Sequence, residues 1–249
     1  MHAWLSAAEM LLDEGSALNV ILDISNPATE GPREVAARQI IDRLYRREKS
    51  QPTHTVAETI FPGWDYVHYG LTGMFEHYAK QYSVFKRGDS SWGRYAHRLI
   101  HRTGRGGEVV NPLARIIRRL KWARSSEGTA YRSSYEMGLD LEDYELPIHD
   151  DILDGKRWRG GPCLSHLSFK LIDDTLHLTA LYRSHDYRYR VPGNLLGLAR
   201  LQACVSHECG AKIGSLVIHS TYAYFDEARG RQGMAQLVRA VGSLYSESN

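Results

Sequence analysis

Residues 162–194 read PCLSHLSFKLIDDTLHLTALYRSHDYRYRVPGN, and this stretch decides the fold. Apolar residues recur along Leu164–Leu171, and they alternate with polar residues along Leu176–Tyr182, as expected of two β-strands. Asp173 and Asp174 lie between the two runs and are residues that favour turns. The stretch therefore predicts a β-hairpin that is followed by a long apolar helix.

The segment after this hairpin predicts a helix and a further strand. Residues 194–207 form a strongly apolar helical run, and Gly210 follows it in the position of a helix-ending glycine. Residues 215–225 return to a strand pattern. A hairpin, a buried helix and a further strand predict an α+β protein in which helices pack on a mixed sheet.

The N-terminal half adds one strand and several helices. The apolar, β-branched run ALNVILDI at 17–24 predicts a buried strand. Helical spacing or helix capping predicts helices at Trp4–Leu12, Arg33–Tyr45, Phe75–Phe85, Tyr95–Ile100 and Asn111–Trp122. In the last of these, Asn111 is expected to be the N-cap and Pro112 to lie in the first turn.

Composition favours one domain over residues 1–249, with 43% hydrophobic and 24% charged residues. Lys and Arg number 31 against 29 Asp and Glu, so the net charge is only +2. General nucleic-acid and membrane-surface binders usually carry a stronger bias. The basic cluster of residues 115–121 is therefore interpreted as a solvated helix face, and RNA binding through it is the least favoured alternative.

Cysteine usage favours a reducing compartment. Cys163, Cys204 and Cys209 are too few, and odd in number, for a disulfide framework, so a cytoplasmic location is expected. The sequence contains no run of 18 apolar residues, so no membrane span is expected. The His and Cys spacings match no structural zinc site, so no metal is expected.

Cys163 differs from the other two cysteines. Cys204 lies in the apolar helical run and Cys209 lies just before Gly210, which is typical of small core residues. Cys163 follows Gly160-Gly161-Pro162 at the start of a strand, where a thiol can be exposed. Because the thiolate is the reactive form, a nearby guanidinium, that of Arg157, Arg159 or Arg183, would activate it.

Three motifs follow one another in a recognisable order. Pro162-Cys163 opens a strand, Arg183-Ser184-His185-Asp186 ends the hairpin, and Val191-Pro192-Gly193-Asn194 begins the helix. This order resembles thymidylate synthase and the related pyrimidine-nucleotide hydroxymethylases, which carry Pro-Cys, Arg-Ser-x-Asp and Gly-x-Pro-Phe-Asn segments. The later segment 221–224, TYAY, resembles the Thr-His-x-Tyr strand of that family. The resemblance extends from Gly161 to Asp226.

The resemblance implies a large mixed sheet, a sheet-mediated homodimer and an enzyme. The implied reaction transfers a one-carbon unit, methyl or hydroxymethyl, to C5 of a pyrimidine nucleoside monophosphate. Methylenetetrahydrofolate is the implied donor, and the methyl route also needs a reductant that the sequence does not identify. The alternative function is that of an inactive or regulatory nucleotide-binding paralogue, although such a binder would have no need of Cys163.

The resemblance also assigns roles to residues. Cys163 would add to C6 of the base and so make C5 nucleophilic. Asn194 would bind the base edge; cytosine-specific relatives have Asp there, so Asn indicates uracil. Asp186 would order water or hold the pterin of the folate beside the reacting carbon.

The remaining implied contacts are to phosphate and sugar. The phosphate ligands would be Arg183 and Ser184, joined by Arg132 from the partner subunit and Arg33 from a loop. Tyr224 would bind the sugar hydroxyl, and Tyr222 replaces the family's histidine on the same strand.

Other positions depart from the family pattern. Leu164 replaces the His that follows the catalytic Cys, and Ser168 replaces a strand Gln. Gly193 replaces the Phe before the base-binding Asn, and Trp92 lies where a proton-removing Tyr is expected. These changes affect the folate side of the site more than the nucleotide side.

Overall fold

The computed structural model describes residues 1–85, 94–103, 108–125, 136–137, 162–225 and 231–246. The helices are α1 (His2–Glu14), α2 (Pro32–Arg47), α3 (Thr53–Ile60), α4 (Gly63–Phe85), α5 (Tyr95–Ile100), α6 (Pro112–Ala123), α7 (Val191–Cys209) and α8 (Arg231–Ser246). The strands are β1 (Ser16–Ile24), β2 (Arg102–Thr103), β3 (Val109–Val110), β4 (Glu136–Met137), β5 (Leu164–Ile172), β6 (Thr175–Tyr182), β7 (His185–Asp186) and β8 (Lys212–Tyr224).

The main sheet is mixed and open. Its strand order is β1-β8-β6-β5-β4, with the short β7 beside β8. β5 and β6 form an antiparallel hairpin, whereas β6 pairs with β8 in parallel, so α7 serves as the crossover between them. The α+β class predicted from the sequence is confirmed.

One face of this sheet packs against helices. Leu178 and Ala180 on β6 and Leu216 and Ile218 on β8 have no exposed surface, and α7 is buried along most of its length. Because side chains alternate across a strand, the intervening residues lie on the other face. On β6 that other face is half-buried or exposed.

Most predicted elements are confirmed with small changes in their ends. The turn at Asp173-Asp174 has positive φ at both residues, as Asp tolerates. Asn111 caps α6, since its side-chain oxygen accepts from the N–H of Ala114 at 2.9 Å. Gly210 ends α7 in the left-handed conformation.

Two helices were not predicted and one was predicted too short. α3 has eight residues, several of them Thr or Val, so it carries little helical signal. α8 contains Gly233 and Gly242, which also weaken the pattern. α4 begins at Gly63, well before the predicted Phe75, and Gly70 with φ +65° interrupts it.

The elements that shape the site lie on both sides of α7. α3 packs along α7, while the C-terminal end of α2 approaches the β7–α7 connection through Glu48, which pairs with Arg188. No helix within the described ranges is both long and apolar enough to span a lipid bilayer.

Candidate active site

Cys163 lies at the first residue before β5, next to the end of β6. The backbone N–H of Arg183 donates to the carbonyl oxygen of Cys163 at 2.9 Å. The same strand pairing places Leu164 opposite Tyr182. The hairpin thus brings Cys163 and Arg183 together, as their positions in sequence had predicted, and leaves the thiol half-buried.

Tyr95 of α5 holds this end of β5. Its hydroxyl oxygen accepts from the backbone N–H groups of Cys163 at 2.7 Å and of Leu164 at 3.1 Å. Burial, reinforced by the nearby Cys163, raises the pKa of Tyr95 to about 12. The ring therefore stays neutral, and its hydroxyl fixes the backbone that carries the thiol.

Burial and the neighbouring charges shift the pKa of the Cys163 thiol in opposite directions. Burial raises the pKa of Cys163, and the carboxylate of Asp186 adds to that effect. The guanidinium groups of Arg183 and Arg190 lower it, but by less than burial raises it. Both arginines are exposed, so they can meet an anionic ligand.

Asp186 organises the turn between β7 and α7. One of its carboxylate oxygens accepts from the backbone N–H groups of Arg188 at 2.9 Å and Tyr189 at 3.2 Å. The turn is also tied to β8, because the N–H of Tyr187 donates to the carbonyl of Tyr224 at 2.9 Å. Asp186 is therefore held in a fixed orientation beside Cys163.

Asn194 lies in the first turn of α7 and is 5% exposed. Its side-chain nitrogen is 2.9 Å from Nε2 of His185. Nδ1 of His185 is in turn 2.9 Å from Oγ of Ser220 on β8. His185 is itself buried and stacks on the ring of Tyr182, with centroids 3.8 Å apart.

Gly193 is required by the packing of α3 on α7. A Cβ at this position would overlap the side chain of Val56 and lie 2.7 Å from the carbonyl oxygen of Thr53. A Cβ at Gly197, one turn further, would lie 2.8 Å from the carbonyl of Ala57. The departure from phenylalanine at 193 is thus explained by the close approach of α3.

Tyr222 and Tyr224 stack on one another at the end of β8, with ring centroids 5.6 Å apart. They share the face of β8 that carries Ser220, since alternate residues point the same way. Tyr222 is 42% exposed, so its hydroxyl is open to a ligand. Thr221 on the other face donates to the carbonyl of Arg183 at 2.9 Å and steadies that arginine's backbone.

Two further phosphate ligands are predicted from the sequence, Arg33 and Arg132. Arg33 is exposed and lies in the first turn of α2 rather than in a loop. Arg132 lies outside the described residues, as does Trp92. Ser184 is half-buried between Arg183 and His185.

The comparisons with known proteins give one consistent name. The chain is 41% identical over 63 residues to a protein of Methanococcoides burtonii described as "putative thymidylate synthase", a match that covers 25% of this chain and 29% of that protein. A protein of Methanothermobacter marburgensis with the same description is 30% identical over 123 residues, or 49% of this chain and 48% of that one.

A third relative with this description, from Methanosarcina barkeri, is 40% identical over 63 residues, 25% of this chain and 29% of that one. The chain therefore spans less than half the length of these curated relatives. No protein-family model matches the chain. The matches to proteins described as thymidylate synthase thus cover only part of this chain and only part of each relative.

Sequence reasoning missed three residues of the site. Tyr95 and Arg190 were not singled out, because nothing local shows that α5 or the residue before α7 meets Cys163. His185 was seen only as the variable position of the Arg-Ser-x-Asp motif. The pairing of β7 with β8 sets His185 opposite Ala223, and its side chain contacts Ser220, a contact that no local sequence signal indicates.

Proposed function

We propose that this protein is an enzyme that transfers a one-carbon unit, methyl or hydroxymethyl, to C5 of a uracil nucleotide. The observation that carries the proposal is a half-buried thiol on which two exposed guanidinium groups act, together with the buried amide of Asn194 in the first turn of α7. A nucleotide needs each of these: an anion site for its phosphate, an amide for its base, and a nucleophile for C6. The partial similarity to proteins named thymidylate synthase supports the same class.

The thiol of Cys163 is the proposed nucleophile. C5 of uracil is a poor nucleophile until an anion adds to C6, which moves the electron pair of the C5–C6 bond toward C5 and O4. The thiolate forms the S–C6 bond, and C5 can then attack the one-carbon donor. Loss of the C5 proton to a base, departure of the donor's amine from the transferred carbon, addition of hydride or water to that carbon and expulsion of the thiolate would restore the ring and the enzyme.

The guanidinium of Arg183 is the proposed phosphate ligand, with the hydroxyl of Ser184 as a further donor. A guanidinium fork matches the oxygens of a phosphate. Arg132, reaching across the dimer, and Arg33, at the start of α2, are the other proposed ligands of the same phosphate. Tyr222 and Tyr224 are the proposed sugar contacts, and their stacking on one another at the end of β8 supports a shared role.

Asp186 is the residue that would hold a folate donor. A pterin presents adjacent N–H donors, and a carboxylate accepts such donors, so the residue type fits the group. One oxygen of Asp186 accepts from two backbone N–H groups and so orients the carboxylate. Methylenetetrahydrofolate would supply the one-carbon unit; a methyl product also needs a reductant that supplies a hydride.

The proposed assembly is a cytoplasmic homodimer of single-domain chains joined through the open face of the sheet. Ile21 on β1 is 60% exposed on that face, next to Leu22, which is buried on the packed face. Thr179 on β6 is exposed on the same side. An unpacked sheet face with apolar residues fits a symmetric sheet-to-sheet contact.

The test is a covalent adduct with 5-fluoro-dUMP and methylenetetrahydrofolate. Fluorine replaces the C5 proton, so the reaction stops after both bonds to the ring have formed. Mass spectrometry of the denatured protein should show the mass of the chain plus nucleotide plus folate. Cys163→Ser should show none, because the hydroxyl cannot replace the thiolate.

Cys209→Ser is the matched control, since Cys209 is buried in α7 away from the ligand groups. It should form the adduct as the wild type does. Binding of the nucleotide without an adduct would favour the inactive paralogue, and an adduct that persists in Cys163→Ser would remove Cys163 from the mechanism.

A further inference from the structure

The C-terminal end of α2 holds the connection that joins β7 to α7. The carboxylate of Glu48 accepts from the guanidinium of Arg188 and, at 2.6 Å, from the hydroxyl of Tyr189. Tyr45, three residues earlier on α2, donates its hydroxyl to the carbonyl oxygen of Arg188. The guanidinium of Arg188 is buried. Side chains from a separate helix therefore fix the path of this connection.

Arg190 is the last residue of the connection and is held at three points. Its N–H donates to the carbonyl oxygen of Asp186 at 3.1 Å, and its own carbonyl accepts from the N–H of Asn194 at 2.8 Å. Nη1 of its guanidinium donates to Oε1 of Gln51, just beyond α2, at 3.1 Å. The backbone of Arg190 thus joins the proposed folate ligand to the proposed base ligand, while its side chain is exposed.

The charge of Arg190 reaches the thiol. Burial raises the pKa of Cys163, and the guanidinium groups of Arg183 and Arg190 both oppose that rise. Burial likewise raises the pKa of Tyr95, whose hydroxyl is 2.7 Å from the backbone nitrogen of Cys163, and Arg190 opposes this rise too. Two groups beside the start of β5 therefore respond to Arg190. Further groups that interact with the thiol are the carboxylate of Asp186 and the buried, neutral phenols of Tyr95 and Tyr182.

A bound nucleotide would change the balance between the two guanidinium groups. The proposed function places a phosphate on Arg183, and a phosphate monoester carries about −1.5 to −2 charges at pH 7. Together the phosphate and Arg183 would act on the thiol as a net anion, which disfavours the thiolate. Of the two guanidinium groups, that of Arg190 is then the one that still favours the thiolate.

We propose that the two arginines have separate roles: Arg183 binds the phosphate, and Arg190 stabilises the thiolate of Cys163. Gln51 is the positioning residue that holds the guanidinium of Arg190 in place. The inference rests on the proposed function, because it assigns the phosphate to Arg183. The thiol proton passes to solvent, and the sulfur keeps the electron pair that later forms the S–C6 bond.

The pH profile of alkylation of Cys163 by iodoacetamide tests this role without any nucleotide. Cys204 and Cys209 are buried, and Cys163→Ser gives the background of their labelling. Arg190→Gln should raise the midpoint of the profile by on the order of one pH unit. At about pH 7 the rate should fall about threefold, because the smaller thiolate fraction outweighs the higher nucleophilicity of a more basic thiolate.

Three variants separate charge, position and an unspecific effect of losing a cation. Arg190→Lys keeps the charge and should retain most of the wild-type midpoint. Gln51→Ala should shift the midpoint in the same direction as Arg190→Gln but by less, since the guanidinium is released and not removed. Arg47→Gln is the matched control, because it removes an exposed guanidinium from the last turn of α2 and should leave the midpoint unchanged.

Calorimetry with dUMP separates the two arginines. Arg190→Gln should bind dUMP as the wild type does, whereas Arg183→Ala should lose affinity by more than about tenfold. An equal loss in both variants would make Arg190 a phosphate ligand and overturn the inference.

An unchanged midpoint in Arg190→Gln would also overturn the inference, and an unchanged midpoint in Gln51→Ala would overturn the positioning by Gln51. Failure of the wild type to bind dUMP would instead overturn the proposed function, while the pH profile would still measure the action of Arg190 on the thiol.

Discussion

Arg183 is an exposed residue whose backbone is held by two strands while its side chain is open to solvent. Its N–H donates to Cys163, and its carbonyl accepts from Thr221. Arg183→Ala should therefore keep the fold and weaken nucleotide binding by about 1.5–3 kcal/mol, the value of a charge-assisted hydrogen bond.

Calorimetry with dUMP measures this loss. Arg239→Ala, which removes an exposed guanidinium on α8, is the control and should bind normally. Equal affinities in the wild type and both variants would show that Arg183 does not hold the phosphate.

In the proposed function Asn194 binds the base, so one substitution there should change base choice. A carboxylate only accepts when ionised, so Asn194→Asp suits the amino group of cytosine. The preference should shift toward cytosine by on the order of 1–3 kcal/mol in transition-state binding. Tritium release from C5 of dUMP, UMP, dCMP and CMP gives the kcat/KM ratios.

Asn111→Asp makes the same change at the N-cap of α6 and should leave those ratios as they are. A wild type that favours cytidine nucleotides would contradict the role given to Asn194.

His185 also makes stability depend on pH. Burial lowers the pKa of its folded form from 6.5 to about 3, so below about pH 6.5 the unfolded chain takes up a proton that the folded chain does not. This contribution to the free energy of unfolding is complete above that pH and is lost at about 1.4 kcal/mol per pH unit below it.

Urea denaturation at about pH 7 and about pH 5 measures the effect, which should amount to about 2 kcal/mol for this one group. His185→Gln should lose that part of the pH dependence, whereas His54→Gln, at an exposed position, should keep it. Identical pH profiles for all three proteins would show that His185 is not buried in a neutral form.

At the scale of elements, the close packing of α3 on α7 limits the size of the residue at position 193. Gly193→Ala would place a methyl group against Val56 and the backbone of Thr53, where only a shift of a whole helix could make room. We expect a loss of about 1–3 kcal/mol in the free energy of unfolding, as for other overpacked sites.

Gly242→Ala is the matched control, because the added Cβ in α8 meets only Glu9 at 3.9 Å. It should stabilise the protein by up to about 1 kcal/mol through helix propensity. Chemical denaturation of both variants measures their free energies of unfolding. Equal changes in the two variants would mean that α3 does not pack closely against α7 at Gly193.

The elements differ in how far the sequence predicts them. The β5–β6 hairpin and α7 are predicted from local patterns. The alternation of apolar and polar residues, the turn residues and the helix-ending glycine all lie within the segments that they predict. The resemblance to a known family is what predicts that Cys163, Arg183 and Asn194 share one site, and the hairpin brings Cys163 and Arg183 together. The contacts of Tyr95 with Cys163 and of His185 with Asn194 are not predicted, because they join residues from separate elements that only the folded sheet brings together.

At the scale of the whole molecule, the sheet face opposite α7 should be a dimer interface. Light scattering should give twice the chain mass of 28.3 kDa for the wild type. Ile21→Asp places a charge in the proposed interface and should yield the monomer, since a buried unpaired charge is costly.

Val67→Asp is the control, as Val67 is 79% exposed on α4 and lies away from the sheet. It should remain dimeric. A monomeric wild type, or an unaffected Ile21→Asp variant, would contradict the sheet-mediated dimer.

The absence of space at Gly193 constrains the order in which this protein could evolve. A larger residue at 193 becomes tolerable only after α3 has moved, because Cβ of Val56 and the carbonyl oxygen of Thr53 crowd the place of its Cβ. A change at Gly193 alone is blocked, and a shift of α3 alone leaves a gap beside Gly193. Position 193 and the residues that set the distance between α3 and α7 are therefore epistatic, and a phenylalanine at 193 is reached only through a less stable intermediate.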